Sequence, residues 1–107
     1  MRRVAQVVRV RPEHLQEYRE LHRDVPQPVL DTLRDCHIGN YSIHLLGDLL
    51  FGYFEYHGDD LAADMARIAA DDATQAWWRL TAPCQQPVQE AAPGEWWASM
   101  EQVFHMP

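Results

Sequence analysis

The chain has 107 residues, 47% hydrophobic and 23% charged, a balance typical of globular proteins and not of disordered ones. Its formal net charge is −7 and its Lys and Arg residues are scattered, which excludes the basic face that nucleic-acid binding requires. A chain of this length predicts a single domain, residues 1–107, that buries roughly two-thirds of its unfolded surface. A second subunit would add to that burial.

The first residues lead directly into strand-like sequence, with no apolar stretch long enough for a signal peptide or a membrane span. We therefore expect a cytoplasmic protein that does not associate with membranes. The two cysteines, Cys36 and Cys84, lack CxxC spacing and a disulfide-dense context, which predicts two free thiols.

Residues 3–10 are rich in valine and predict a first strand, and Pro12 suits the first turn of a following helix. From Glu13 onward a helical repeat places six residues, at about 100° per residue, within a single arc of roughly 80°. They are Leu15, Tyr18, His22, Val25, Val29 and Leu33. Pro26 and Pro28 interrupt the repeat, because a proline cannot donate the helical hydrogen bond. The sequence predicts an inward-facing Tyr18 and His22, with a break just after His22.

Residues 40–46 and 49–56 are two strand-like runs joined at Gly47-Asp48, which predicts a β-hairpin. Asp59 or Asp60 can cap a second helix, and Thr74 can open a short continuation that contains Trp77 and Trp78. The stretch 83–94 is predicted to be a loop, and residues 98–105 a final strand.

The predicted order is βαββαβ, which is the α+β class with a ferredoxin-like arrangement. In this arrangement both helices cover one face of an antiparallel sheet, and the other face stays open. Two open faces can pack against each other, so the pattern predicts a homodimer.

The six histidines invite a metal hypothesis, but they show no HxH, HExxH or paired Cys/His spacing. No nucleotide-binding loop is visible either. We therefore expect neither a metal nor an organic cofactor.

His22 is the histidine on the predicted inward face. A single histidine on an apolar helix face is usually a hydrogen-bonded structural residue. Here Tyr18 lies one turn earlier on the same face and a proline break follows, so two polar groups project toward a core or a cavity. Imidazole both gives and takes protons near neutral pH, which general acid–base catalysis requires. His22 is therefore the candidate catalytic residue.

Trp77 and Trp78 are adjacent on a predicted helix, so their side chains diverge by about 100° and cannot both point into one core. They form either one core and one dimer contact, or an aromatic wall against the apolar face of a sugar. The sequence leaves both interpretations open. Trp96 and Trp97 are interpreted as packing or interface residues.

Five segments in combination resemble the L-rhamnose mutarotase family, in order and across nearly the whole chain. They are EYRELH (17–22), NYSIHLL (40–46), LLFGYFEY (49–56), TQAWWRLT (74–81) and MEQVFHMP (100–107). The resemblance implies a dimeric α+β barrel that binds L-rhamnose and interconverts its α and β anomers without a cofactor. It implies that His22 is the proton donor. It also implies sugar contacts by Tyr18, Tyr41, Trp77 and Trp78.

Anomer exchange requires a proton on the ring oxygen and loss of a proton from the anomeric hydroxyl. His22 is assigned the acid–base step, and Tyr18, Glu55 or a water molecule are candidates for the complementary base. The chain departs from the family at one segment, where Pro26-Gln27-Pro28 replaces the family's usual Trp-Pro-Glu. This departure motivates one alternative, a divergent isomerase or cyclase that acts on another small molecule or secondary metabolite. A second alternative is a non-catalytic sugar-binding domain in which His22 is only structural.

Overall fold

A computed structural model describes all residues, Met1–Pro107, as five strands and four α-helices. The strands are β1 (Arg2–Val10), β2 (Ile38–Leu46), β3 (Leu49–Tyr56), β4 (Gln85–Gln86) and β5 (Ala98–Met100). The helices are α1 (Leu15–Leu21), α2 (Gln27–Asp35), α3 (Leu61–Ala70) and α4 (Asp72–Thr81). Single turns of 3-10 helix occupy Pro12–His14 and Ala82–Cys84. The α+β class is confirmed.

The strands form one antiparallel sheet in the order β2-β3-β1-β4, and β5 also pairs with β1. The β2–β3 hairpin turns at Gly47-Asp48, where Gly47 has φ +62°, a left-handed conformation that costs glycine little. This strand order confirms the predicted ferredoxin-like topology.

The helices cover one face of the sheet, and the inward side chains of the strands form two core clusters against them. The first cluster contains Val8, Val10, Tyr18, Leu50 and Cys84. The second contains Cys36, Ile38, Phe54, Tyr56 and Ile68. Burial of each large apolar side chain contributes about 1.5–3 kcal/mol, so these clusters hold the helices on the sheet. The opposite face has no helix, and Phe51 on that face is 36% exposed.

The predicted break in the first helix is confirmed. α1 ends at Leu21, His22 is its C-terminal cap, and α2 begins at Gln27 with Pro26 as its N-terminal cap. Proline in the first turn of α2 is tolerated because its missing N–H has no helical partner there. The two prolines thus divide one predicted helix into two.

Asp60 caps α3, as predicted, and its carboxylate accepts a hydrogen bond from the Ala63 backbone. The predicted start of the next helix at Thr74 is wrong. Asp71 caps α4 instead, and its carboxylate accepts bonds from the Thr74 backbone N–H (2.9 Å) and hydroxyl (2.8 Å). Thr74 is a partner of the cap and not the cap itself.

Two predictions in the last quarter of the chain are wrong in detail. The predicted loop 83–94 contains β4, which pairs with β1 at Arg9 and Val10. The predicted final strand 98–105 stops at Met100, and residues 101–107 have no regular structure. An alternating pattern forms a strand only where a neighbouring strand is available, and Val103, Phe104 and Met106 find none within this chain. No helix in the structure is both long and apolar enough to cross a lipid bilayer.

Candidate active site

The helix break places Tyr18 and His22 at the end of α1, on the side that faces the sheet. The Tyr18 side chain is buried at 5% exposure, and His22 is half-buried at the helix terminus. Residues four apart lie on the same face of a helix, so the two rings meet. Their centroids are 4.2 Å apart with an interplanar angle of 32°.

The His22 imidazole is held by its own helix. Its Nδ1 lies 2.8 Å from the Tyr18 carbonyl oxygen. A carbonyl oxygen can only accept, so Nδ1 carries a hydrogen and donates it. In the neutral ring Nε2 is then the unprotonated nitrogen, and it is the atom at which a proton can be exchanged.

Trp77 from α4 forms a second aromatic neighbour of His22. The two ring centroids are 5.2 Å apart in an edge-to-face arrangement with an angle of 69°. Edge-to-face geometry is favourable for aromatic pairs. Together, Tyr18 and Trp77 fix the imidazole between two aromatic rings.

The Tyr18 hydroxyl is the buried polar group of this cluster. Burial raises the pKa of Tyr18 to about 12, and a hydrogen bond from Gln85 opposes part of that rise. The hydroxyl therefore keeps its proton at neutral pH. Tyr18 is a hydrogen-bond donor or acceptor there, and it does not serve as a base.

Tyr41 reaches the same side of the sheet from β2. The pairing of β2 with β3 is irregular between Gly39 and Ser42, and such bulges re-aim side chains. The Tyr41 ring packs against Phe54 with centroids 5.4 Å apart, yet 39% of the residue is exposed. Loss of water around its hydroxyl raises the pKa of Tyr41, and a hydrogen bond with Gln6 lowers it.

Two predicted residues lie apart from the cluster. Trp78 is 43% exposed and lines a shallow surface depression with Gln75, Arg79, Ala82 and Pro83. Glu55 lies on the opposite face of the sheet, because it is adjacent to the inward-facing Phe54 and side chains alternate along a strand. Its carboxylate accepts bonds from Tyr53 and Asn40. Within this subunit Glu55 is therefore not available as the complementary base.

Three further residues of the site were missed by the sequence interpretation: Gln6, Gln85 and Trp96. Gln6 occupies an inward position of β1 between Val4 and Val8, and a polar residue in an apolar register is a signal that could have found it. Gln85 is buried at 5% exposure and contacts both the Tyr18 hydroxyl and the Trp96 indole. No local signal identifies that pair.

One group of potential metal ligands forms behind the site. Atoms of His14, Glu17 and Cys84 lie within 4.8 Å of one another. The Cys84 thiol donates to the Glu17 carboxylate at 2.9 Å. Burial, followed by that hydrogen bond, raises the pKa of Cys84 to about 12. The Cys84 thiol is fully buried and already donates to Glu17, so the contacts in this group are those of a hydrogen-bonded pair.

A ferredoxin-like sheet with one covered face, and a histidine held between aromatic rings on that face, define an α+β protein with a small polar and aromatic site. The sequence model of the L-rhamnose mutarotase family matches residues 3–106. The L-rhamnose mutarotase of Ligilactobacillus salivarius (strain UCC118) is 31% identical over 109 residues, which cover 97% of this chain and 96% of the relative. That of Sinorhizobium medicae (strain WSM419) is 30% identical over 108 residues and 99% of both chains. This chain belongs to the L-rhamnose mutarotase family.

Solved structures agree with this fold. An L-rhamnose mutarotase from Formosa agariphila matches with a TM-score of 0.78 and 22% identity over the full length of both chains. Tetracenomycin F2 cyclase from Streptomyces glaucescens, a type II polyketide cyclase, matches with a TM-score of 0.68 and 13% identity, over 100% of this chain and 98% of the cyclase. At these identities the likeness concerns the fold alone.

Proposed function

We propose that this protein is an isomerase that interconverts the α and β anomers of L-rhamnose. One observation carries the proposal: in a chain of the L-rhamnose mutarotase family, His22 is fixed through Nδ1 and leaves Nε2 for proton exchange beside Tyr18 and Trp77. An acid–base group held in this way matches what anomer exchange requires. The divergent isomerase or cyclase and the non-catalytic sugar binder are not favoured.

The reaction consists of two proton transfers and one bond rotation. The ring oxygen gains a proton as the bond between it and the anomeric carbon breaks, and the anomeric hydroxyl loses a proton as it becomes the aldehyde oxygen. Rotation about the C1–C2 bond and closure on the other carbonyl face then give the second anomer. We assign the proton at the ring oxygen to Nε2 of His22, which carries that proton in the imidazolium form while Nδ1 keeps its bond to the Tyr18 carbonyl. On closure the ring oxygen returns its proton to Nε2, and the water that took the anomeric proton returns it to the new anomeric hydroxyl. Hydrogen is only moved, so the overall composition is unchanged.

The complementary base is a water molecule in this proposal. Tyr18 is protonated at neutral pH because burial raises its pKa to about 12, and Glu55 lies across the sheet. Water is the remaining candidate. A positioned acid–base group contributes about 10²–10⁴-fold to a rate, so His22 with water can account for fast exchange.

Binding is assigned to the aromatic side chains around His22. We assign hydrogen bonds with sugar hydroxyls to Tyr18 and Tyr41, and contact with the apolar side of the pyranose to the Trp77 indole. The sugar contact that the family resemblance implies for Trp78 is not part of this assignment, because Trp78 is 43% exposed on the outer side of α4.

Saturation-difference NMR on equilibrated L-rhamnose tests this proposal, because it reports binding and anomer exchange together. A panel of other pyranoses measured beside L-rhamnose tests the preference for this sugar. We expect accelerated exchange between the α and β signals of L-rhamnose that scales with protein concentration. Binding without faster exchange would instead indicate a sugar-binding protein, and neither effect would indicate another substrate.

The protein is further proposed to form a homodimer. The face of the sheet without helices carries Phe51, which is 36% exposed. Three apolar residues of the segment 101–107 are also exposed, at 77–87%. Packing of two subunits would cover both surfaces. Sedimentation at micromolar concentration should give twice the chain mass of 12.5 kDa, and a monomer would contradict the proposal.

A cytoplasmic location is proposed as well, because L-rhamnose metabolism supplies the substrate there. Fractionation of the producing cells, with the protein detected by antibody, tests it. Recovery outside the cytoplasmic fraction would contradict it.

A further inference from the structure

Three side chains from distant parts of the chain form a line of hydrogen bonds that ends at Tyr18. The Trp96 indole nitrogen lies 2.8 Å from Gln85 Oε1, and Gln85 Nε2 lies 3.3 Å from the Tyr18 hydroxyl oxygen. Gln85 itself is buried at 5% exposure in β4, paired with Val10 of β1. Trp96, which is 43% exposed, forms the surface end of this series of hydrogen bonds.

The chemistry of the first partner fixes the direction of every bond in this line. An indole N–H can only donate, so the Gln85 atom that faces Trp96 must be the amide oxygen. The amide NH₂ group then faces Tyr18 and donates to it. The Tyr18 oxygen is thus an acceptor toward Gln85, and its own proton is given to no side chain or backbone group of the protein.

We propose that Gln85, oriented by Trp96, is a positioning residue that fixes Tyr18 as a hydrogen-bond donor toward the bound sugar. This inference rests on the proposed function, in which Tyr18 contacts the substrate. A sugar hydroxyl can either donate or accept a hydrogen bond. A tyrosine hydroxyl that is free to do both would therefore bind the sugar ring in several orientations. A tyrosine that can only donate selects those orientations that present an oxygen lone pair beside His22.

The substitution Gln85→Glu tests the direction of the bonds, because glutamate has nearly the same size. A carboxylate only accepts, so one oxygen takes the Trp96 N–H and the other takes the Tyr18 proton. Tyr18 then has no proton for the sugar. We expect anomer exchange at pH 7.5 to fall about 10- to 100-fold, with a folded protein by circular dichroism. The matched control Gln86→Glu makes the same chemical change at the exposed neighbouring residue and should leave the rate unchanged.

Two further variants separate orientation from a merely structural role. Gln85→Leu removes both bonds but leaves Tyr18 free to donate, so we expect at most a threefold loss in rate. Trp96→Phe keeps an aromatic ring but frees the amide to turn over, so we expect a loss between those of the Leu and Glu variants. In Gln85→Glu alone, lowering the pH should raise the rate relative to wild type, because the introduced carboxyl group, once protonated, donates to Tyr18 again. A merely structural role predicts instead that the rate losses of the three variants follow their losses of thermal stability, so the midpoint of thermal unfolding is measured for each.

The indole proton resonance of Trp96 provides a readout that does not depend on activity. Its chemical shift should move upfield in Gln85→Leu, where the hydrogen bond is lost, and should stay in the hydrogen-bonded range in Gln85→Glu. An unchanged resonance in the Leu variant, or equal rate losses in the Leu and Glu variants, would overturn the inference. If the wild-type protein does not accelerate L-rhamnose exchange, the proposed function fails. That failure can be told apart from a failure of the inference about Gln85, because the Trp96 resonance still reports whether Trp96 orients Gln85.

Discussion

The two core clusters each contain one buried tyrosine with a different set of hydrogen bonds. Tyr18 in the first cluster is 5% exposed and Tyr56 in the second is 3% exposed. The Tyr56 hydroxyl accepts a bond from the Asp60 backbone at 3.0 Å and donates one to the Asp64 carboxylate. The Tyr18 hydroxyl accepts from Gln85 but donates to no protein group. Similar burial therefore accompanies a complete set of bonds at Tyr56 and an incomplete set at Tyr18.

The partners of Tyr56 extend this contrast. The Asp64 carboxylate also accepts bonds from His37 Nδ1 at 3.0 Å and from Arg67 at 2.8 Å. It joins α3 to the end of β3 and to the residue before β2. A Cβ at Gly58 would collide with the Tyr56 hydroxyl, so this turn has no space for a larger residue. A network with all its bonds made within the protein stabilises the fold, whereas a buried donor without a partner is available to a ligand.

His22 gives the largest expected effect. Replacement by asparagine should lower the rate of L-rhamnose anomer exchange by about 10²–10⁴-fold, because the positioned acid–base group is lost. Circular dichroism should show a folded protein, since the residue caps a helix end and is only half-buried. Exchange is measured by NMR between the α and β signals. A folded variant with near-normal exchange would remove His22 from the mechanism, and an unfolded variant would make it structural.

The two adjacent tryptophans should also differ in their effect on the ligand: we expect Trp77 to contribute to sugar binding and Trp78 not to. Trp77→Leu should raise the sugar concentration for half-saturation about 10-fold, which corresponds to about 1.4 kcal/mol of lost aromatic contact. The sugar-dependent change in intrinsic fluorescence should also disappear. Trp78→Leu is the matched control on the outer side of α4, and less than a twofold change is expected. Equal effects would show that our separation of the two indoles is wrong.

The smallest effect concerns acid stability. A hydrogen bond from Tyr56, followed by those from His37 and Arg67, holds the pKa of Asp64 below its ordinary value of 3.8. The unfolded chain then binds this proton more readily than the folded one. The contribution to stability is therefore present above pH 3.8 and is lost as the pH falls through the lower folded-state pKa.

Urea unfolding at pH 7 and at pH 3 measures this loss. The wild-type midpoint should fall on acidification, and Asp64→Asn should start lower at pH 7 and lose less between the two values. Exchange by the folded Asn variant at pH 7 should equal that of wild type. An equal acid loss in both proteins would mean that other carboxylates carry the pH dependence.

Features set by local chemistry could be predicted from the sequence. The break after His22 follows from Pro26 and Pro28, which act on their own helix whatever surrounds them. The hairpin follows from Gly47-Asp48 between two apolar runs. The break leaves His22 at the end of α1 beside Tyr18, and alternation along β2 puts Tyr41 on the same face as Ile43. The main part of the site could therefore be predicted from the sequence.

Features set by distant pairing could not be predicted. Gln85 and Tyr18 are 67 residues apart in the chain. They meet only because the two-residue strand β4 pairs with β1. Whether Trp77 or Trp78 faces His22 depends on the rotation of α4 about its own axis, which is set by the packing of the helix in the folded chain. The face occupied by Glu55 is a different matter. Alternation from Phe54 determines it, and the sequence already contained that information.

The measurement that tests our central claim most directly compares two matched variants, Tyr18→Phe and Tyr56→Phe. Each loses one buried hydroxyl and keeps its ring. For each we would record the exchange rate of L-rhamnose anomers by NMR at 20 °C and the midpoint of thermal unfolding. Tyr18→Phe should lower the exchange rate about 10- to 100-fold, because its proton serves the ligand, and should lower Tm less than Tyr56→Phe does, because it removes one protein hydrogen bond where Tyr56→Phe removes two. Tyr56→Phe should lower Tm by roughly 5–10 °C and keep the exchange rate within about twofold. The reverse result, or equal effects of both variants on the exchange rate, would contradict the assignment of the first cluster to the active site and of the second to the fold.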